Sequence, residues 1–212
     1  MQPLSRHQCF IYDGSPALQL PTLAAMIQQK LDENFRCLYM NTGAMVAGLH
    51  TCLSATGTNV ALEVAQGRLV MSSDSVCSPE GGFEIDTMLQ RLEDAVDQAC
   101  KDGFKGLWAT GDMTWEFGNE KNFAKLIEYE YKLEKLFRKR DELSGVCQYH
   151  RDTLPADVPK KALHSHPAIF VNKTVQRINP HFMSTRLLSN TGGPTEQELN
   201  EMIAAVCQLA KP

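Results

Sequence analysis

The chain has 212 residues, 43% of them hydrophobic, and a formal net charge of −4. That supports one sizeable core and gives no net positive field to gather nucleic acid or an anionic membrane. No run approaches the roughly 18 apolar residues of a membrane span, and Met1 to His7 lacks a basic-then-apolar leader, so a cytoplasmic chain is expected.

Elements alternate along the sequence. His7 to Tyr12 predicts a short buried strand, and Ala17 to Leu31 a helix with apolar positions Leu20, Leu23, Ile27 and Leu31. Arg36 to Met40 predicts a second strand, followed by a helix through Val46, Leu49 and Leu53, and Arg68 to Met71 a third. Phe83 to Cys100 is the cleanest helix, with Ile85, Met88, Leu89, Leu92, Val96 and Ala99 on one face. Lys105 to Thr110 (strand), Asn122 to Lys139 (long helix), Leu143 to Tyr149 (strand), Pro155 to Leu163 (short helix) and Ala168 to Val171 (strand) complete the series.

Strands separated by helix-length gaps predict parallel βαβ units, hence a three-layer α/β fold with a mostly parallel sheet and helices on both faces. Residues 1–173 form that domain. Asn, Pro, Ser, Thr and Gly dominate 174–194, an irregular wrapping or linking segment. Residues 195–212 form an amphipathic helix opened by a Thr195–Glu198 capping box, with Leu199, Met202, Ile203, Val206 and Cys207 as its stripe.

The seven cysteines are odd in number and include no C-x-x-C, so neither a disulfide framework nor a zinc ribbon is expected. Cys37, Cys100 and Cys207 fall in apolar patterns and are expected to be buried as small hydrophobes. Without a secretory route, the Asn172-Lys-Thr174 sequon is a chance match.

A doubly wound sheet binds ligands outside the carboxyl ends of its strands. The residues there are Tyr12-Asp13, Asn41-Thr42, Ser72-Ser73, Gly111-Asp112 and Tyr149-His150. In a nucleotide hydrolase the first strand leads into a glycine-rich loop ending in Gly-Lys-Ser/Thr, whose amides and lysine grip phosphate. Here the loop from Tyr12 to Thr22 keeps only Gly14, has no lysine, and places Asp13 where it would repel a phosphate. With no G-x-S-x-G, H-E-x-x-H or G-x-G-x-x-G either, the chain is expected not to be an enzyme.

In the segment Gly106 to Gly118, Gly111 is expected to turn the chain sharply and leave Asp112 at a strand's carboxyl end, ahead of Trp115 and Glu116. Asp112 is then either a helix cap or a functional acid. On the helix from Phe123 to Phe137 the apolar stripe is broken by Glu130 and Glu134. A carboxylate on a buried face is expensive unless partnered, so Glu130 is either a structural partner or a ligand contact. Glu128 falls on the solvated face, and Arg138 to Arg140 reads as a solvated helix end.

Period-two alternation puts His7, Cys9 and Ile11 on one face of the first strand and Gln8, Phe10 and Tyr12 on the other. Cys147-Gln-Tyr-His150 closes the fifth strand and His164-Ser-His166-Pro167 precedes the sixth. Histidine and cysteine are good transition-metal ligands, yet these show no fixed metal-site spacing. Hydrogen-bonded structural histidines are the plainer expectation; a metal, haem or redox site of His7, Cys9, Cys147 and His166 is the alternative.

The ordered set H-x-C-x-x-Y, R-C-L-Y-M, G-x-L-V, G-L-W-A-T-G-D-M-T-W, L-I-E-Y-E, C-Q-Y-H-R and H-P, from His7 to about Val171, resembles the MEDS domain, the sensory domain of DcmR-type regulators in methanogens and methylotrophs. The resemblance implies a relative of KaiC- and RecA-like ATPases that lost the P-loop and senses small hydrocarbon-derived molecules. Carried over by motif, it implies ligand-binding positions at His7, Cys9, Tyr12, Asp112, Trp115, Glu130, Cys147, Tyr149 and His166. It further implies a protein partner, a histidine kinase or a transcription regulator. Family members are often fused to an output domain, and this chain ends at Pro212.

The expected function is therefore non-catalytic sensing of a small organic ligand near Trp108 to Trp115 and the ends of the first and fifth strands. No cofactor, direct nucleic-acid contact or membrane contact is expected, and a homodimer is possible. Residual nucleotide binding, with Asp112 and Glu116 holding magnesium, is a further alternative.

Overall fold

Short segments of β-branched, aromatic and thiol side chains pair side by side, and the connections between them coil into helices. The computed structural model describes residues 6–73, 84–113, 123–171, 174–176 and 196–209. Its strands are β1 (His7–Tyr12), β2 (Arg36–Met40), β3 (Leu69–Ser72), β4 (Leu107–Asp112), β5 (Leu143–His150), β6 (Ala168–Val171) and β7 (Thr174–Gln176). They form one sheet in the order β3-β2-β4-β5-β1-β6-β7, parallel throughout except for β7, which runs antiparallel to β6.

A 3₁₀ turn (Pro16–Gln19) leads into α1 (Leu20–Asp32); α2 (Gly43–Ala55), α3 (Val60–Ala65), α4 (Ile85–Lys101), α5 (Phe123–Lys139), α6 (Asp157–Ser165) and α7 (Glu196–Leu209) follow. Alternation within β1 separates two cores. Phe10 and Tyr12 join Cys37, Tyr39, Leu69 and Trp108 beneath α1, α2 and α3. Cys9 and Ile11 join Cys147, Tyr149 and Ile169 beneath α4, α5, α6 and α7. Helices thus cover both faces, which is the three-layer α/β fold.

Connections leaving β1 and β2 move toward the β3 edge over the first face, whereas those leaving β3, β4 and β5 return over the second. One hand of crossover requires this division. The direction therefore switches between β1 and β5 and between β2 and β4, opening crevices at the strands' carboxyl ends.

The apolar stripes pack as their periodicity dictates. Ile85, Met88, Leu92, Val96 and Ala99 of α4 are buried, as are Leu199 and Val206 of α7, with Met202, Ile203 and Cys207 packed beside them. Each fully buried Ile, Leu, Val or Met side chain among them contributes roughly 1.5–3 kcal/mol. Among the described residues no helix is long and apolar enough to cross a membrane.

Several expectations need correction. Gly111 does not turn: it stays paired with Cys147, and Asp112 with Gln148, because β4 is held between β2 and β5 on both edges. The helix expected from Ala17 starts as a 3₁₀ turn and becomes α-helical only at Leu20. α3 was not anticipated; its six residues are too few to show a period, and Asn59 starts it by accepting the Leu62 amide at 3.1 Å. Thr174 to Gln176, within the stretch expected to be irregular, adds β7 to the sheet. Cys37 is buried, but Cys100 is exposed and Cys207 only partly covered. The Thr195 cap, the sequon and most of 174–194 lie outside the described residues.

Candidate functional site

Beneath α5, on the face of β1 and β5 away from α1, four side chains from four elements converge. His7 opens β1, Cys147 lies midway along β5 opposite Cys9, Glu130 is at mid-α5, and His166 immediately follows α6. All are buried, and one ligand-type atom from each lies within 4.8 Å of the others. Glu130 Oε2 stands 3.4 Å from His7 Nε2, 3.3 Å from His166 Nε2 and 3.9 Å from Cys147 Sγ. His7 Nε2 is 3.5 Å from Cys147 Sγ.

A surrounding set of groups orients these four. His7 Nδ1 donates to Glu134 Oε2 at 2.9 Å, and Arg138 Nε donates to Glu134 Oε1 at 2.7 Å. His166 Nδ1 donates to the Ala162 carbonyl at 2.8 Å. The Tyr149 hydroxyl donates to Glu130 Oε1. Phe137 stacks on the His7 ring at 4.4 Å, and the two imidazoles lie 4.1 Å apart.

Burial disfavours charge on every member, so the charges present are held by one another. It opposes protonation of His7, yet hydrogen bonds and charge from Glu130 and Glu134 prevail and raise that imidazole above its ordinary value. Burial also opposes ionisation of Glu130, but His166 and His7 outweigh it and hold the carboxyl far below the usual range. Glu134 is lowered too, with His7 and Arg138 overcoming burial. His166 is lowered, by burial and by the charge of His7. Cys9 and Tyr149 are pushed well up, first by burial and then by Glu130.

A second feature lies at the strands' carboxyl ends. A half-open cleft of about 340 Å³ is bordered by Ser15, Pro16, Ala17, Asn41, Thr42, Met45, Asp112 and His150. It bridges the ends of β1, β2, β4 and β5, where the connections change direction. In its wall the Tyr12 hydroxyl donates to Asp112 Oδ2 at 2.8 Å, and His150 stacks on Tyr12 with ring centres 5.0 Å apart. The loop after β1 is tied to β5: Gly14, at φ +73°, donates its amide to Asp152 Oδ2 at 2.7 Å, and its carbonyl accepts from His150 Nε2 at 2.8 Å. That amide, where a phosphate-binding loop would offer a donor, already serves a carboxylate.

The nine expected site positions thus separate. His7, Cys9, Glu130, Cys147, Tyr149 and His166 gather under α5, whereas Asp112 borders the cleft with Tyr12 bonded to it; Trp115, like Glu116 of the magnesium alternative, lies outside the described residues. Of the metal alternative's His7, Cys9, Cys147 and His166, the structure groups His7, Cys147 and His166 with Glu130, whose carboxylate α5 places within 3.4 Å of both Nε2 atoms. Met45 was missed, and Asn41, His150 and Glu134 were noted in the sequence without being assigned to a site. Glu134 was legible as the second acid, one turn on, in an apolar stripe; the others required the strand order.

The structure is thus a three-layer α/β domain with a small-molecule-sized cleft at the carboxyl ends of its strands. The family model MEDS, the methanogen/methylotroph, DcmR sensory domain, matches residues 6–167. The chain belongs to this family of sensory domains. Comparison with curated proteins gave no match.

Proposed function

We propose that the chain is a non-catalytic sensory module that binds a small, largely apolar organic molecule in the cleft at the carboxyl ends of β1, β2, β4 and β5. The observation that carries this is the cleft: about 340 Å³, lined by Pro16, Ala17 and Met45 with Asn41, Asp112 and His150 converging on it. Binding sites for small molecules are of this size and composition, with few polar groups that set orientation. A hydrocarbon derivative with one hydrogen-bonding group suits it better than a triphosphate, because Asp112 and Asp152 border the loop and the Gly14 amide is engaged. This agrees with an ATPase-like frame whose phosphate grip was lost.

The ligand would touch Ser15, Pro16 and Ala17 at the start of the 3₁₀ turn and Met45 in the first turn of α2. Occupancy would favour one placement of these helix starts over another, and a histidine kinase or transcription regulator would read the change.

A thermal-shift screen of short-chain alcohols, amines and halogenated hydrocarbons, with Mg-ATP alongside, tests this. Ligand at ~100 times its Kd adds about 2.7 kcal/mol of stability. A stabilising small organic is expected, with the shift lost in Asp112→Ala and in Met45→Trp, which fills the cleft and leaves the Tyr12–Asp112 bond alone. A flat response to every organic, or stabilisation by Mg-ATP alone, overturns the proposal.

A further inference from the structure

We propose that His7, Glu130, Cys147 and His166 form a closed, four-coordinate site for a divalent transition metal of the zinc class, separate from the ligand cleft. The chemistry of the donor set comes first. Two imidazole nitrogens, a carboxylate oxygen and a thiol sulfur are the ligand types zinc selects, and they tolerate cobalt(II) equally well.

Four of the six edges lie near those of a tetrahedron, and all six are within 4.8 Å. Metal–nitrogen and metal–oxygen bonds of about 2.0–2.1 Å give edges of about 3.3–3.4 Å, and a bond of about 2.3 Å to sulfur lengthens an edge to about 3.5–3.6 Å. The Glu130–His7 and Glu130–His166 edges are 3.4 and 3.3 Å, and the His7–Cys147 edge is 3.5 Å. The Glu130–Cys147 edge, 3.9 Å, is longer by a few tenths of an ångström.

The outward hydrogen bonds aim the ligand atoms inward. The Ala162 carbonyl and the Glu134 carboxylate can only accept, so both imidazoles spend their Nδ1 protons on them and turn Nε2 toward Glu130 and Cys147. Carboxylate or carbonyl partners on the far nitrogen of a histidine are the usual orienting groups of a metal site. Tyr149 likewise occupies Oε1 of Glu130 and leaves Oε2 facing the two rings. Four electron-rich atoms thus surround one point in a water-excluded core. A cation there, balanced by the Glu130 carboxylate and a Cys147 thiolate, turns mutual repulsion into coordination. With four protein ligands, the site leaves no position open for water and suits a structural or metal-responsive ion rather than a catalytic one.

The competing account is a metal-free polar cluster in which a proton between His7 and Glu130 plays the cation's part. Cobalt(II) titration of the full chain, stripped with chelator, separates the two. Expected are one equivalent bound, visible ligand-field bands of tetrahedral cobalt, a thiolate charge-transfer band, displacement by zinc, and a raised thermal midpoint. The charge-transfer band should vanish in Cys147→Ser and persist in Cys9→Ser and Cys100→Ser. Glu134→Gln, which touches no metal, should weaken binding by roughly 10–100-fold. A stripped chain that keeps its circular dichroism yet shows no cobalt bands overturns the site. So does a band that survives Cys147→Ser and disappears in Cys100→Ser, the mark of binding at a surface thiol. Neither result bears on the cleft, whose thermal-shift screen stands apart.

Discussion

Three side chains converge on the Glu130 carboxylate: Tyr149 from β5, His7 from β1 and His166 from the end of α6. None of them reaches water, so each loses a buried partner when that carboxylate is removed. Removing one member of such a buried set costs more than the set contributes as a whole, because the remainder is left desolvated and uncompensated. Glu130→Ala should therefore lower stability by about 3–5 kcal/mol in the chelator-treated protein, measured by urea unfolding. Glu128→Ala, on the exposed side of the same helix, should stay within about 0.5 kcal/mol of wild type. Equal effects would mean that Glu130 is solvated in the native protein.

Between β4 and β5 the approach is unusually close. An added Cβ at Gly145 would come within 2.3 Å of the Ala109 carbonyl oxygen and 3.3 Å of the Phe137 ring. Backbone cannot yield as a flexible side chain can, so Gly145→Ala must part the two strands or push Phe137 off the His7 ring it stacks on. A loss of about 3 kcal/mol is expected, the upper end of the usual cost of overpacking. Gly43→Ala, at the start of α2, meets only Ser73 Cβ at 3.9 Å and should be nearly neutral. A mild Gly145→Ala with unaltered near-ultraviolet dichroism would show that the strands can separate without disturbing the cluster.

Across the molecule, several weak acids are kept protonated by the core that surrounds them. Burial pushes the Cys37 thiol up to about 12 from 9.0. Tyr39 is raised by burial, and Tyr12 by burial and the neighbouring Asp112. The unfolded chain loses these protons near 9 to 10, whereas the native chain must hold them. Their contribution is complete below pH about 9 and is lost as pH rises toward the native values. The urea midpoint should therefore fall between pH about 9 and 10.5, with a shallower decline in Cys37→Ala. A midpoint unchanged over that interval would contradict the burial assigned to these groups.

Periodicity is a property of neighbouring residues, so the sequence alone determined most elements. The alternation of β1, the stripes of α4 and α7, and the order of strands and helices that makes an α/β sandwich were all legible, as was the absence of a Gly-Lys-Ser/Thr loop after β1. Glu130 was legible as an anomaly, a carboxylate on a stripe that had to be buried. Its partners were not. His7, Cys147 and His166 are 140 and 19 positions apart along the chain, and only placing β1 between β5 and β6 brings them to one point. The same strand order brings Asn41, Met45 and His150 around one cleft, and holding β4 between two neighbours kept Gly111 extended where a turn was expected. Strand pairing is chosen by how two cores fill together, a long-range packing problem that no window of consecutive residues contains.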